Sequence, residues 1–159
     1  MIVNSLRLGQ LDVPDDKIIF MEKPVLGFEH LAKFCLVEAQ DLFPFMWLIS
    51  SEDPAVSFLV VNPRVFFPDY RIEVNPKEIA ELNIADTRTV ETYVIVTIPD
   101  NPQDISINLQ GPILINTENN RAKQLVLVNS SYQVRHHIME LANAEIAREE
   151  RQLREPVGV

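Results

Sequence analysis

Three histidines, His30, His136 and His137, and one cysteine, Cys35, are the side chains of this 159-residue sequence with the chemistry for metal binding or nucleophilic attack. Their spacing argues against both. Neighbouring residues point about 100° apart on a helix and to opposite faces of a strand, so His136 and His137 are poorly placed to share a metal. A single cysteine forms neither an internal disulfide nor a thiolate cluster. It lies inside the apolar run Phe34-Cys35-Leu36-Val37, where a thiol packs as a small core residue and burial lowers its reactivity. The acidic groups Asp15-Asp16, Glu52-Asp53 and Asp100 with Asp104 stand beside turn residues, and Asp side chains there bond nearby backbone N–H groups. Ser50-Ser51 and Ser130-Ser131 lack the glycine-flanked elbow of a nucleophilic serine. The glycines, Gly9, Gly27, Gly111 and Gly158, are too scattered to cradle a phosphate. No catalytic residue, metal site or cofactor is therefore expected.

Recognition chemistry is better represented. Phe66, Phe67, Asp69, Tyr70 and Glu73 combine aromatic rings with carboxylates around Pro68. Proline removes a backbone donor and belongs at a sheet edge or rim, where such rings cannot all turn inward. Exposed aromatics with a carboxylate rim have the composition of an interface anchor, which makes these five residues the candidate partner-binding surface. The competing arrangement puts one of Phe66 and Phe67 in the core and the other under a neighbouring helix. Trp47, between Met46 and Leu48, reads as core.

The elements that must position these groups are mainly strands. Apolar runs of four to nine residues, rich in Val, Ile and Phe, recur between Pro, Asn and Asp. Leu6 and Leu8, then Leu11 and Val13, alternate with polar residues and suggest two strands meeting near Gly9. Further strands are expected at 18–21, 34–37, 45–49, 56–61, 90–98, 105–109, 113–115 and 125–128. Tyr70, Ile72 and Val74 alternate with Arg71 and Glu73 and add one more. Asn75-Pro76-Lys77-Glu78 supplies an N-cap and a proline at the first helical position, predicting a short helix from Pro76 to about Leu82. A second helix is expected from His137 onward, with Ile138, Leu141, Ala142 and Ile146 forming a narrow stripe. Its stripe is too narrow for stability in isolation. The expected architecture is mainly β: a small β-barrel-like single domain over residues 1–137, with one short helix and a C-terminal helical extension over 138–159.

Composition bounds the function further. Hydrophobic residues make up 47% and charged residues 23% of the chain, a globular balance rather than a disordered one. The formal charge of −9 repels phosphate backbones and anionic lipid heads, so neither direct nucleic-acid binding nor membrane binding is expected, whereas a basic protein partner would be attracted. The start of the sequence lacks a signal-peptide pattern, and no run reaches the length of a membrane span. A cytoplasmic location fits the lone cysteine.

Specific motifs narrow the reading. Asp53-Pro54 through Phe58-Leu59-Val60-Val61-Asn62-Pro63, followed by Phe66-Phe67-Pro68-Asp69-Tyr70-Arg71-Ile72-Glu73, resembles the central signature of the flagellar assembly factor FliW family. Val96-Thr97-Ile98-Pro99, then Ile107-Asn108-Leu109-Gln110-Gly111-Pro112-Ile113-Leu114-Ile115-Asn116, resembles its second signature, which Lys123-Gln124 extends. Ile2-Val3-Asn4-Ser5 and Leu26-Gly27-Phe28-Glu29 also fit, so the resemblance runs through about residues 2 to 137. Two features depart from it: Gly111 where a residue such as Ala is expected before the proline, and a longer tail after Ile138. The resemblance implies a compact, non-enzymatic β-barrel-like protein. It further implies binding of flagellin in the cytoplasm and, once flagellin is exported, binding of the translational regulator CsrA, whose repression of flagellin synthesis is then relieved. The alternative reading is a β-barrel that encloses a small ligand.

Overall fold

The computed structural model describes residues 1–128 and 131–138. Alternation of apolar residues produces eleven strands within them. These are β1 (Ile2–Ser5), β2 (Gly9–Asp12), β3 (Ile19–Lys23), β4 (Lys33–Glu38), β5 (Met46–Ser50) and β6 (Ser57–Val61). The second half supplies β7 (Val90–Thr97), β8 (Ser106–Ile107), β9 (Ile113–Asn116), β10 (Arg121–Gln124) and β11 (His136–His137).

The order β7-β6-β5-β4-β3-β10-β9 closes on itself, because the first half of β7 pairs with β9 while Val94 and Ile95 pair with β6. Every neighbour in this seven-stranded ring is antiparallel except β3 and β10, which run parallel. The second half of β7 pairs with β8, and β8 with β11, so two short strands extend the sheet beyond the ring.

All seven ring strands send side chains into one cluster. Ile19, Phe34, Leu48, Val60, Ile113 and Ala122 are buried in it, and Tyr93 and Ile95 of β7 pack against it. The barrel interior is thus filled by side chains, which removes the space that a ligand-enclosing barrel needs. Two coats cover the outside. The β1–β2 hairpin brings Val3 and Val13 onto Cys35 and Ile49. Segments 62–84, 105–109, 125–128 and 131–138 bring Tyr70, Leu82, Leu109, Leu127 and Ile138 onto Leu59, Val61, Val94 and Leu114.

Several sequence expectations shift. The first strand lies before Leu6: the Ser5 hydroxyl accepts the N–H groups of Arg7 and Leu8, both at 3.2 Å, so residues 6–8 turn and leave Leu6 80% exposed. Residues 70–74 keep their alternation of burial but form no ladder, because the barrel is already closed beneath them. The strand expected at 105–109 shrinks to the two residues of β8. The strand placed at 125–128 is instead β10, where Arg121 through Gln124 pair with β9 on one side and β3 on the other. The helix expected from Pro76 is two 3-10 turns, Pro76–Glu78 and Ala80–Leu82, separated at Ile79 and ended by Asn83 in the left-handed region at φ 48°. The Asn75 cap forms as predicted: its side chain accepts the Lys77 N–H at 3.0 Å. His137, expected to open the tail helix, is instead extended in β11, and the rest of that expected helix beyond Ile138 lies outside the described residues. Ile138, assigned from sequence to the tail, is fully buried, and its N–H bonds the Ile105 carbonyl.

Candidate partner-binding groove

Alternation decides what residues 69–74 present. Tyr70 is buried and Ile72 and Val74 are partly buried, so Asp69, Arg71 and Glu73 point outward. Continuing into Asn75 and Glu78, this stretch forms one wall of a surface groove of about 520 Å³. The facing wall comes from Val126, Leu127 and Val128 with Ser131 and Tyr132. Val126 and Val128 are 47% and 75% exposed, on the outward face of a segment whose Leu125 and Leu127 are buried. An apolar strip thus faces three carboxylates, Asp69, Glu73 and Glu78, and one guanidinium, Arg71. That arrangement suits apolar side chains accompanied by positive charge.

The five residues singled out from sequence divide into three groups. Asp69 and Glu73 are exposed and line the groove. Phe66 and Phe67 are half-buried on the outer core, Phe66 against Phe45 at 6.2 Å between ring centroids and Phe67 edge-on to His136 at 5.5 Å. They follow the 3-10 turn Pro63–Val65, which Asn62 caps by accepting the Arg64 N–H at 3.0 Å. Tyr70 is not a surface residue. It is 2% exposed, its hydroxyl donates to the Leu109 carbonyl at 2.6 Å, and burial raises its phenol pKa, with nearby Tyr132 adding to the shift. The Tyr70 ring packs 4.6 Å from that of Tyr132, whose hydroxyl accepts the Arg71 N–H at 3.0 Å. Tyr70 therefore supports the groove from beneath through a residue that lines it.

Residues the sequence reading did not single out, chiefly Val126, Val128 and Tyr132, complete the groove. The available signal was Leu125-Val126-Leu127-Val128, apolar at every position, which is consistent with a strip whose two faces are both covered or with one that leaves a face for a partner.

The groups that looked chemically able are occupied otherwise. The Ser50 hydroxyl accepts the N–H groups of Glu52 and Asp53, at 3.1 and 3.0 Å. The Glu52 carboxylate accepts those of Ala32 and Lys33, at 2.7 and 2.8 Å, and these bonds hold its pKa below the ordinary 4.5. Cys35 is buried, which pushes its thiol pKa up. Among the described residues no cluster of three His, Cys, Asp or Glu side chains is placed to hold a metal ion. No described helix is long and apolar enough to cross a membrane.

The chain's similarities to known proteins are specific. The model of the FliW protein family matches residues 2–138. The flagellar assembly factor FliW of Thermosipho africanus is 37% identical over 142 residues, which cover 89% of this chain and 98% of that protein. The flagellar assembly factor FliW of Pseudothermotoga lettingae is 39% identical over 136 residues, covering 85% and 86%. A crystal structure of the flagellar assembly factor FliW superposes with a TM-score of 0.81 at 30% identity, over 87% of this chain and 96% of that one.

Proposed function

This chain belongs to the FliW family of flagellar assembly factors, and from that premise we propose that it acts without catalysis, by binding flagellin in the cytoplasm. When free of flagellin it binds CsrA and relieves the repression of flagellin synthesis. The observation that carries the reading is the groove: an apolar strip at Val126 and Val128 opposite the carboxylates of Asp69, Glu73 and Glu78. Its chemistry fits a protein segment that brings apolar side chains and positive charge, and a chain of net charge −9 attracts a basic RNA-binding protein at long range. Titration calorimetry of the double variant Asp69→Lys/Glu73→Lys, its fold verified by circular dichroism, tests the assignment. Binding of flagellin or of CsrA weakens at least tenfold, about 1.4 kcal/mol. Wild-type affinity for both would place the binding face elsewhere.

A further inference from the structure

The β9–β10 hairpin offers a row of polar side chains to the 3-10 turns at 76–82, and the row meets one carbonyl after another. Lys123 Nζ donates to the Glu78 carbonyl and stands 3.5 Å from Glu81 Oε1. Arg121 Nη1 donates to the Glu81 carbonyl at 3.3 Å. The side-chain amides of Asn116 and Asn119 both donate to the Leu82 carbonyl, each at 2.9 Å. Short helical turns leave carbonyls without partners inside the helix. Here β9, β10 and the turn between them supply those partners and hold the segment on the barrel.

Lys123 is the unusual member. It is 6% exposed, and an ammonium group taken out of water is costly unless it is paired and hydrogen-bonded. An apolar side chain of similar length would serve packing alone as well or better. What an apolar residue cannot do is fix the Glu78 carbonyl, and Glu78 lines the groove. We infer that Lys123 is a positioning residue for the groove: it holds the acidic wall at Glu78 in register with the apolar strip opposite, and so sets the strength of partner binding. The inference rests on the reading of the groove as the binding face. It also gives a role to the Lys123-Gln124 motif. Gln124, the next residue, ties down a different part of the barrel, its Oε1 accepting the Leu26 N–H at 2.8 Å and its Nε2 donating to the Gly111 carbonyl at 3.1 Å.

Hydrogen exchange and binding together test it on the full chain. In Lys123→Met the amides of Leu82 and Asn83, which bond the Ile79 and Ala80 carbonyls, exchange at least tenfold faster while those of β5 and β6 keep their protection. Flagellin affinity falls about fivefold, and Glu73→Lys, measured alongside, falls at least tenfold. Should Lys123→Met fail to fold, Glu81→Gln removes only the 3.5 Å ion pair and produces the same two effects at two- to threefold. If Glu73→Lys binds normally, the groove is not the binding face and the positioning role falls with it. If Glu73→Lys binds weakly but the lysine or glutamate variant binds as wild type, the groove stands and the inference is overturned, whether or not exchange quickens.

Discussion

The Tyr70 hydroxyl and the Leu109 carbonyl, 39 positions apart in sequence, meet at 2.6 Å in the buried outer coat of the barrel. The bond joins the loop that carries Asp69 and Glu73 to the segment that leads into the 110–112 turn. Removing only the oxygen, in Tyr70→Phe, leaves a buried carbonyl without its partner and lowers stability by about 1–3 kcal/mol. Partner affinity at saturating fold stays near wild type, because the hydroxyl faces the core. Chemical denaturation and calorimetry separate the two effects. A loss of affinity with unchanged stability would make Tyr70 a contact residue after all.

Gly111 stands against two fixed amides. A Cβ there would lie 2.9 Å from Asn108 Nδ2 and 3.1 Å from Gln124 Nε2. Neither amide is free to swing away: Asn108 Oδ1 accepts the N–H groups of Gln110 and Gly111, and Gln124 is bonded at both ends. Gly111→Ala therefore destabilises by about 1–3 kcal/mol through overpacking. The midpoint of urea unfolding reports it, and an unshifted midpoint would mean that the Asn108 turn adjusts without cost.

Ile138 is the last of the described residues and belongs to the core. It is fully buried with its N–H on the Ile105 carbonyl. A chain ended after Ile138 melts well above one ended after His137, the difference corresponding to about 2–5 kcal/mol for loss of a buried Ile side chain. Equal melting temperatures would show that the 105 loop closes over the gap unaided.

Stability falls toward acid, and Glu52 supplies part of the slope. Its pKa is held down by the N–H groups of Ala32 and Lys33, with the Lys33 and His30 charges adding to the shift. A carboxyl whose folded pKa is lowered contributes stability that is present above its ordinary 4.5 and is lost as pH falls through the folded value. His136 acts in the same sense: burial lowers its pKa from 6.5, so its contribution is present above that value and declines as pH drops below it. Glu52→Gln flattens the acid limb of a pH–stability curve below 4.5. An acid limb identical to that of the wild type would assign the slope to other groups.

Partner binding weakens with salt if opposite charge drives encounter, since exposed charges are screened beyond about 8–10 Å at physiological ionic strength. Calorimetry with CsrA at two salt concentrations decides this, and an unchanged affinity would leave the apolar strip at Val126 and Val128 as the dominant contact.

Local pattern made the central hairpins legible. Phe34 to Val61 reads as three β-rich runs divided by turn residues, and β4, β5 and β6 pair consecutively there. The Asn75 cap was equally visible, because capping is a local bond. Long-range pairing was not. Arg121-Ala122-Lys123-Gln124 has little intrinsic strand preference, and it becomes β10 only because β9 and β3 lie on either side. At the groove, the spacing that put Tyr70 with Ile72 and Val74 already set it opposite Asp69 and Glu73. Ranking Tyr70 by residue type instead of by that spacing placed it wrongly on the surface.

The parallel pairing of β3 with β10 also governs the order in which this protein becomes whole during synthesis. β3 leaves the ribosome early, yet its second neighbour is made only after β4 to β9. Before β9 is made a nascent sheet carries two open edges, β3 and the β9 side of β7; β9 covers the second from close by in sequence, whereas β3 stays open until β10 arrives, and the contact of Met21 with Ala122 that seals it spans most of the described chain. Non-local closure of this kind is slow relative to local hairpin formation, and unpaired edges invite association. The interval between translation of β7 and of β10 is therefore when the growing polypeptide has most need of protection from its neighbours.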